Sequence, residues 1–497
     1  MSGLFGTLNT ATKGLHAQQT ALQTIGHNVA NANTTGYTRQ RVTMQADIAT
    51  NVPGIGQIGT GVRIGNVDRV SDEYITTQLR QGHSTTSAHQ SLSDIVGQLE
   101  AIYNEPSDTG LSNQISEVFN AWTYLASNPE QGAARTMLVQ TSETFTDSIH
   151  HMARSMESLH NDTINELDKA ALNVNSSLKQ LDQLNHQIWQ ASVRGFTPND
   201  LLDQQERLLT DVAGKLDINV TRDKYNRVSV SMQGETVLDH QSRKELAVVV
   251  GENGELANED TVTGGKLGNI VVLDGKEAKV ITPTAGSMKG TQEALDVISD
   301  MQSELDEFAF AFATAVNDIH STPTIEGEPK GRDFFELGDH NDSKGAALSL
   351  KVSDALKKDP GLVVSGRSMD NEFAGDGSRA QSIASLQHKT MSTDVDSWNY
   401  NPVTMSHEPA STGTTLFGRY NSMVTDMGIV KQQEDNMLNT QKGLMNLLTQ
   451  RRESISGVDI NEEVVDMIKY STAFQANSRV LQTISEMLDT LINRTGV

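Results

Sequence analysis

Three stretches of the chain carry residue types and spacings that could do chemistry. Gly54-Ile55-Gly56-Gln57-Ile58-Gly59 fits the GxGxxG pattern of dinucleotide-binding loops, in which glycines bring a pyrophosphate against the N-terminus of the following helix. Here Asn51-Val52-Pro53 precedes it and a strand-like Gly61-Val62-Arg63-Ile64 follows. It reads as a glycine-rich loop. The 13 histidines never fall into His-Glu-x-x-His or a comparable ligand spacing. Adjacent His150-His151 sit in a helical stretch, where neighbouring side chains diverge and cannot share a metal. Asp339-His340-Asn341-Asp342-Ser343-Lys344-Gly345 starts like a calcium loop. It lacks Gly at the sixth position and has Leu350 where the twelfth should be a bidentate Glu, so an acidic surface turn is expected. No Ser/His/Asp set or carboxylate pair stands out among 63 acidic residues. The expectation is a chain that is not an enzyme, with no catalytic residue, no cofactor and no metal.

Composition narrows the class. Against those 63 acids stand 39 Lys and Arg, a net charge of -24. This argues against nucleic acid or an anionic membrane as partner, since both demand a basic face. There is no cysteine. Met1-Ser2-Gly3-Leu4-Phe5-Gly6-Thr7 lacks the basic and apolar runs of a cleaved signal peptide, and no stretch approaches the ~20 apolar residues of a membrane span. The chain is expected to stay in the cytosol or to leave it by a route that needs no cleaved signal. With 36% hydrophobic but only 5% aromatic residues, aliphatic and mostly helical cores are expected.

The elements that must position any site begin at the two ends. Leu4, Leu8, Ala11, Leu15, Gln18, Leu22, Ile25 and Val29 alternate in steps of four and three, a coiled-coil seam. It stops at Asn33-Thr34-Thr35-Gly36, with Gly36 a left-handed terminator. Val464, Met467, Ser471, Phe474, Ser478, Leu481, Ser485, Leu488 and Ile492 repeat the spacing, and Val480, Ile484, Met487 and Leu491 widen the stripe. Stripes this narrow want partner helices, and pairing the two ends is the economical solution.

Between the ends, apolar faces at 92–102, 111–125, 291–319 and about 415–455 predict further helices. From Glu130 to Arg194 there is no proline and one glycine, Gly132. An unbroken helix of ~65 residues there would reach about 95 Å. Period-two alternation begins near Leu216 and recurs at Val228–Met232, Leu246–Val250 and Ile270–Leu273, which predicts a small β-rich unit. Residues 321–411 are rich in Gly, Ser, Asp and Pro, with strand-like pieces such as Ala347–Val352. The fold expected is mainly α with a β-rich insertion, an α+β multidomain chain. Residues 1–50 with 456–497 form a paired coiled-coil domain, and 51–214 with 286–320 and 412–455 a long-helix rod domain. Residues 215–285 form the β-rich insertion and 321–411 a loop-rich second one.

The residues at the two ends also carry a likeness. Gly26-His27-Asn28-Val29-Ala30-Asn31 runs into Thr34-Thr35-Gly36-Tyr37-Thr38-Arg39-Gln40. Near the other end, Ser456-Gly457-Val458-Asp459-Ile460-Asn461-Glu462-Glu463 precedes Ala473-Phe474-Gln475-Ala476-Asn477-Ser478 and a closing helix. These segments resemble the flagellar rod, hook and hook-associated axial proteins. His27 stands where that family usually shows a second Asn, Thr472 where relatives often carry Gln, and Gln205-Glu206 replaces a common Arg-Asp.

The resemblance implies a structural subunit that leaves the cell by type III export and resides extracellularly in the bacterial flagellum. It would assemble through Leu4, Leu8, Leu15, Leu22, Ile25, Val29, Val464, Met467, Phe474, Leu481, Ile484, Leu488 and Ile492. The form of Gly26-His27-Asn28 with Tyr37, Arg39 and Gln40 points to the member that forms a ring between hook and filament. Its partners would be further copies of itself, the hook protein, the second hook-associated protein, and a cytosolic export chaperone at the C-terminal segment. Another axial protein, or an axial chain with an adhesin or enzyme in its insert, is the alternative.

Overall fold

The computed structural model describes residues 2–52, 54, 56–251, 253–256, 261–262, 265–275, 277–325, 327–338, 342–369 and 375–494. Helix α1 (Ser2–Ala30) leads into a long antiparallel ribbon of β1 (Gln40–Ala46) and β4 (Val62–Arg69), with a short hairpin of β2 (Thr50–Val52) and β3 (Gly56–Ile58) at its tip. Then come α2 (Glu73–Tyr103), α3 (Leu111–Ser127), α4 (Gly132–Val193) and α5 (Asn199–Lys215). Strands β5 (Asn219–Arg222), β6 (Val228–Met232) and β7 (Glu235–Leu238) make one antiparallel sheet. A second consists of β8 (Glu245–Val248), β9 (Ile270–Asp274) and β10 (Glu277–Ile281). After α6 (Ser287–Ser321) lie the short β11 (Phe335–Glu336), α7 (Ala346–Ser349), β12 (Lys351–Val352), α8 (Asp354–Lys358), α9 (Ser378–Ser385), β13 (Tyr400–Asn401) and β14 (Ser406–His407). Helices α10 (Leu416–Ser456) and α11 (Ile460–Asp489) close the chain. The fold is mainly helical with small antiparallel sheets, as the periodicities imply.

The rod predicted between Glu130 and Arg194 is α4, 62 residues without a break. Its first half packs with α2, α3 and α6 around an aromatic centre: Phe145 and Phe312 stack at 4.7 Å between centroids, Trp122 and Phe334 at 5.0 Å. Its second half, from Ile164 on, carries the two sheets on an aliphatic core of Leu167, Leu178, Val230, Val248 and Ile270. Phe334, Leu350, Val363, Ile383 and Met391, from the loop-rich stretch, are buried in the aromatic core.

Four asparagines fasten irregular or extended backbone to helices. Asn185 on α4 donates Nδ2–H to the Val228 carbonyl (2.8 Å) and accepts from the Val228 N–H (2.9 Å). Asn175 does the same for Leu246 on β8, at 2.7 and 2.8 Å. Asn317 on α6 accepts from the N–H groups of Phe334 and Phe335 and donates to the Phe335 carbonyl. Asn28 treats Gln40 in this manner. A carboxamide presents one donor edge and one acceptor edge, so it can pair with a backbone peptide that has no strand neighbour on that side.

Two expectations are corrected. Ala347–Val352 is not a strand: Ala346–Ser349 forms a helical turn, because Asp306 accepts from the N–H groups of Gly345 and Ala347 at the head of that turn. Only Lys351–Val352 is extended. The seam of α1 is also out of phase. Its most buried positions are Ala11, Gly14, Ala17, Ala21, Thr24, Ile25 and Asn28, while Leu4, Leu8, Leu15, Leu22 and Val29 are half-buried. Small residues face inward because α1 is squeezed between α11 and the β1–β4 ribbon; a Cβ on Gly14 would already lie 3.0 Å from Asn477 Oδ1.

Candidate assembly interface

The described residues of the three stretches weighed for chemistry take up ordinary structural positions. Gly56–Ile58, within the glycine pattern, pairs with Thr50–Val52 as a hairpin, and the element that follows the pattern is strand β4, not a helix. His150 is half-buried on α4 and His151 exposed, so the pair diverges as helix geometry requires. The start of the calcium-like run, Asp339 to Asn341, lies outside the described residues. Among the described residues no group of three His, Cys, Asp or Glu could hold a metal, and no helix is long and apolar enough to cross a membrane.

What the motif residues build is a polar lock between the ends of the chain. Helices α1 and α11 run antiparallel: Gly14 meets Asn477 and Asn28 meets Glu463. Asn28 is 1% exposed. Its Nδ2 donates to the Gln40 carbonyl (2.9 Å) and to Glu463 Oε2 (3.0 Å). Its Oδ1 accepts from the Gln40 N–H (3.0 Å) and from the Tyr37 hydroxyl (2.8 Å). Two donors and two lone pairs are all in use, so neither Asp nor Ala could substitute without orphaning a buried group. Because the Tyr37 proton is committed to Asn28, His27 Nδ1, 2.9 Å from that hydroxyl, is the donor there. Burial, then Asp200, Asp203 and Glu463, push the Tyr37 phenol well above its ordinary range.

Arg39 is used as completely. Its N–H donates to the Ser456 carbonyl (3.0 Å) and its carbonyl accepts from Val70 N–H (2.8 Å). Its guanidinium reaches Glu463 Oε1 at 2.6 Å and Glu462 Oε2 at 2.8 Å. Burial opposes its charge, but those bonds raise its pKa above the ordinary value. Both glutamates lie in the first turn of α11, where the helix dipole favours anions, and Asp459 caps that turn through the Asn461 N–H. Gly36 adopts φ +78°, and a Cβ there would sit 2.8 Å from Arg207 Cγ. Gly457 ends α10 so close to the Glu453 carbonyl (2.4 Å from a Cβ) that only glycine fits.

Behind this lock is a layer that the sequence reading underrated. Asp203 accepts from the Thr38 N–H at 3.1 Å and faces Arg69 Nη2 at 2.9 Å. Burial raises the Asp203 pKa, opposed by Arg69, and burial likewise lowers that of Arg69. Glu206 bridges Arg80 (2.7 Å) and Arg222 (2.9 Å), which gives a positive reason for Glu at that departure from the family pattern. Of the remaining motif residues, Ala30 is exposed, the Thr34 hydroxyl donates to Asn31 Oδ1 at 3.3 Å, and Val458 is half-buried in the turn before α11.

On α11 the residues expected in the seam divide. Ile484 is buried and Phe474, Leu481 and Leu488 are half-buried toward α1. Val464 and Met467 stand exposed, as does Ile492 just beyond the helix, together with Val465 and Ile468 at 65% and 62%. The helix therefore has a second apolar face that its own chain leaves open.

Residues 96–335 match the helical domain of flagellar hook-associated protein FlgK. Residues 8–38 match the flagella basal body rod protein family, and 449–494 the C-terminal segment of the flagellar basal body rod FlgEFG proteins. The chain is 29% identical to flagellar hook-associated protein 1 of Bacillus subtilis, over 100% of this chain and 99% of that one. To the Salmonella typhimurium protein of the same name it is 26% identical over 98% and 99%. The chain is similar to flagellar hook-associated protein 1 along its whole length. In fold it is similar to the flagellar hook junction protein FlgK from Burkholderia pseudomallei, with a TM-score of 0.61, 15% identity, and 76% of this chain and 100% of that one covered. The segments that match the two rod-protein models are tied together by Asn28 and Glu463, with Arg39 one residue past the first of them.

Proposed function

We propose that the chain is the structural junction subunit between flagellar hook and filament, and that it works by assembly rather than by catalysis. The carrying observation is the lock that joins Asn28 and Arg39 to Glu463: it makes one rigid antiparallel pair from chain ends that are otherwise remote. A pair fixed in this way can present the outward apolar stripe of Val464, Val465 and Ile468 to a second copy at a constant angle, as a closed ring requires. In this reading the terminal pair (1–50 with 456–497) faces the axis and the sheets of 215–285 face outward. The hook protein and the second hook-associated protein bind its two ends, and an export chaperone covers α11 before assembly. The absence of cysteine suits a chain that leaves the cell unfolded, without a cleaved signal, through a narrow channel.

Electron microscopy of a strain lacking the gene tests the reading. Bare hooks, with filament protein lost to the medium, are expected. Normal filaments would refute it.

A further inference from the structure

Helix α10 is apolar on two faces. Through one, Met445 and Leu448 pack on α2 at Gly82, where a Cβ would lie 2.6 Å from the Met445 sulfur. On the other, Ile429, Met437, Leu444 and Leu447 stand exposed, Leu447 at 65%. With Gln433 and Thr440 among them they follow steps of four and three, the spacing of a helix seam. No charged residue interrupts this seam before Arg451. A second exposed apolar face lies at the end of α4, made by Trp189 (40% exposed), Val193 and Phe196 (68%). Their neighbour Ile188 is buried against Leu202 of α5.

The two faces occupy one level of the rod, on opposite flanks. Helix α10 packs on α2, α2 on α5, and α5 on α4. Contacts that step across this row fix the level: Met445 on Gly82, Arg80 on Glu206 at 2.7 Å, and Gln205 on Asn185 at 3.2 Å. Leu444 and Leu447 flank Met445 at one end of the row. Trp189 lies one turn past Asn185 at the other.

Exposed apolar faces of this kind mark contact surfaces, and one on each flank suits a second copy of the chain. The flank of one copy then meets the opposite flank of the next, a heterologous contact that repeats around an axis. Charge favours the same occupant. Copies that each carry -24 repel one another, so they approach most easily where the surface holds no acid. The α10 seam also runs on, past Gly457, into the exposed Ile460 and Val464 of α11. We infer that Leu444 and Leu447 of one copy dock on Trp189, Val193 and Phe196 of its neighbour, as the side-to-side contact of the assembly. This rests on the reading that the chain works by assembly, and adds which surfaces meet.

The chain has no cysteine, so introduced thiols report on this contact alone. Flagella from cells making only the Trp189→Cys/Leu447→Cys double variant are treated with a short bis-maleimide and probed with antibody to the chain. A ladder of dimers and higher oligomers is expected from the double variant, and monomers from each single variant. Dimers from a single variant would mean a face meeting its own copy, and overturn the inference. Monomers from the double variant in flagella that bear filaments overturn it too, while leaving the junction reading intact. That reading fails separately, if the deletion strain makes normal filaments. Should the double variant fail to assemble, charge reversal decides. Leu447→Glu is expected to give bare hooks, and Leu447→Glu with Phe196→Lys to restore filaments. Wild-type motility of Leu447→Glu, or no rescue by the second change, overturns the inference.

Discussion

The Arg39 guanidinium meets the buried Glu463 carboxylate at 2.6 Å, across 424 positions of sequence. That contact makes the two ends of the chain one body, and it explains why both ends carry the conspicuous motifs.

Removing Glu463 leaves Arg39 and Asn28 with buried, unpaired donors, whereas Glu462 is mostly solvated at 62% exposure. Glu463→Ala is expected to cost about 2 kcal/mol, and Glu462→Ala less than about 0.5 kcal/mol. Amide exchange of residues 20–40 and 460–480 checks this. Loosening should be confined to the terminal pair in the first variant and absent in the second.

The asparagine fasteners should matter in proportion to burial. Asn185, at 2% exposure, also accepts from Gln205 Nε2 at 3.2 Å, while Asn175 is half-buried. Asn185→Ala is expected to destabilise by about 1–3 kcal/mol and Asn175→Ala by less, read from urea unfolding curves.

Helices α2 and α6 touch at Gly290, where a Cβ would lie 2.0 Å from the Ala88 carbonyl oxygen. Gly290→Ala should cost about 1–3 kcal/mol or more through forced separation of the helices. Gly132, at the open start of α4, has nothing near it, so Gly132→Ala should be neutral or stabilising by up to about 1 kcal/mol. Thermal denaturation of the two variants should move in these different directions.

Glu235 on β7 clasps Lys244 at 2.6 Å and Lys279 of β10 at 2.9 Å, and those bonds lower its pKa from 4.5 to about 2. A lowered carboxyl contributes stability that is complete above 4.5 and lost as pH falls through about 2. Exchange at β10 should therefore accelerate between pH 5 and pH 2 relative to α4, and Glu235→Gln should abolish that acceleration.

The two faces of α11 can be separated. Ile484 is 5% exposed against α1, and Ile468 is 62% exposed on the outer face. Ile484→Asp loses the ~1.5–3 kcal/mol of an aliphatic burial and adds a charge penalty, so the free chain should lose protection at both ends. Ile468→Asp should leave free-chain stability within about 0.5 kcal/mol, yet give non-motile cells with bare hooks. Wild-type motility of Ile468→Asp would show that this face is not used in assembly.

Periodicity and punctuation determined much of this molecule. The proline-free run from Glu130 to Arg194 had little choice but α4, since each residue there adds a helical bond at low cost once the helix is nucleated. Pro106 and Pro129 fall just beyond the ends of α2 and α3, which stop for a similarly local reason. The motifs of the lock were legible too, because the left-handed Gly36 and the capping Asp459 act within a few residues.

What sequence could not settle is which face of an amphipathic helix wins when two neighbours compete for it. Pattern reading put Leu15 and Leu22 in the α1 seam, yet Ala17 and Ala21 lie deeper than either, because the β1–β4 ribbon and α11 press on α1 from two sides and leave no depth for leucine. The partners of Asn28, Asn175, Asn185 and Asn317 were likewise invisible. A carboxamide acquires its role only when folding brings a strand or loop peptide within 3 Å of it, from 12 positions away for Asn28 and 71 for Asn175. Local sequence sets the elements through short-range torsions and burial patterns; tertiary approach alone decides which polar groups find each other.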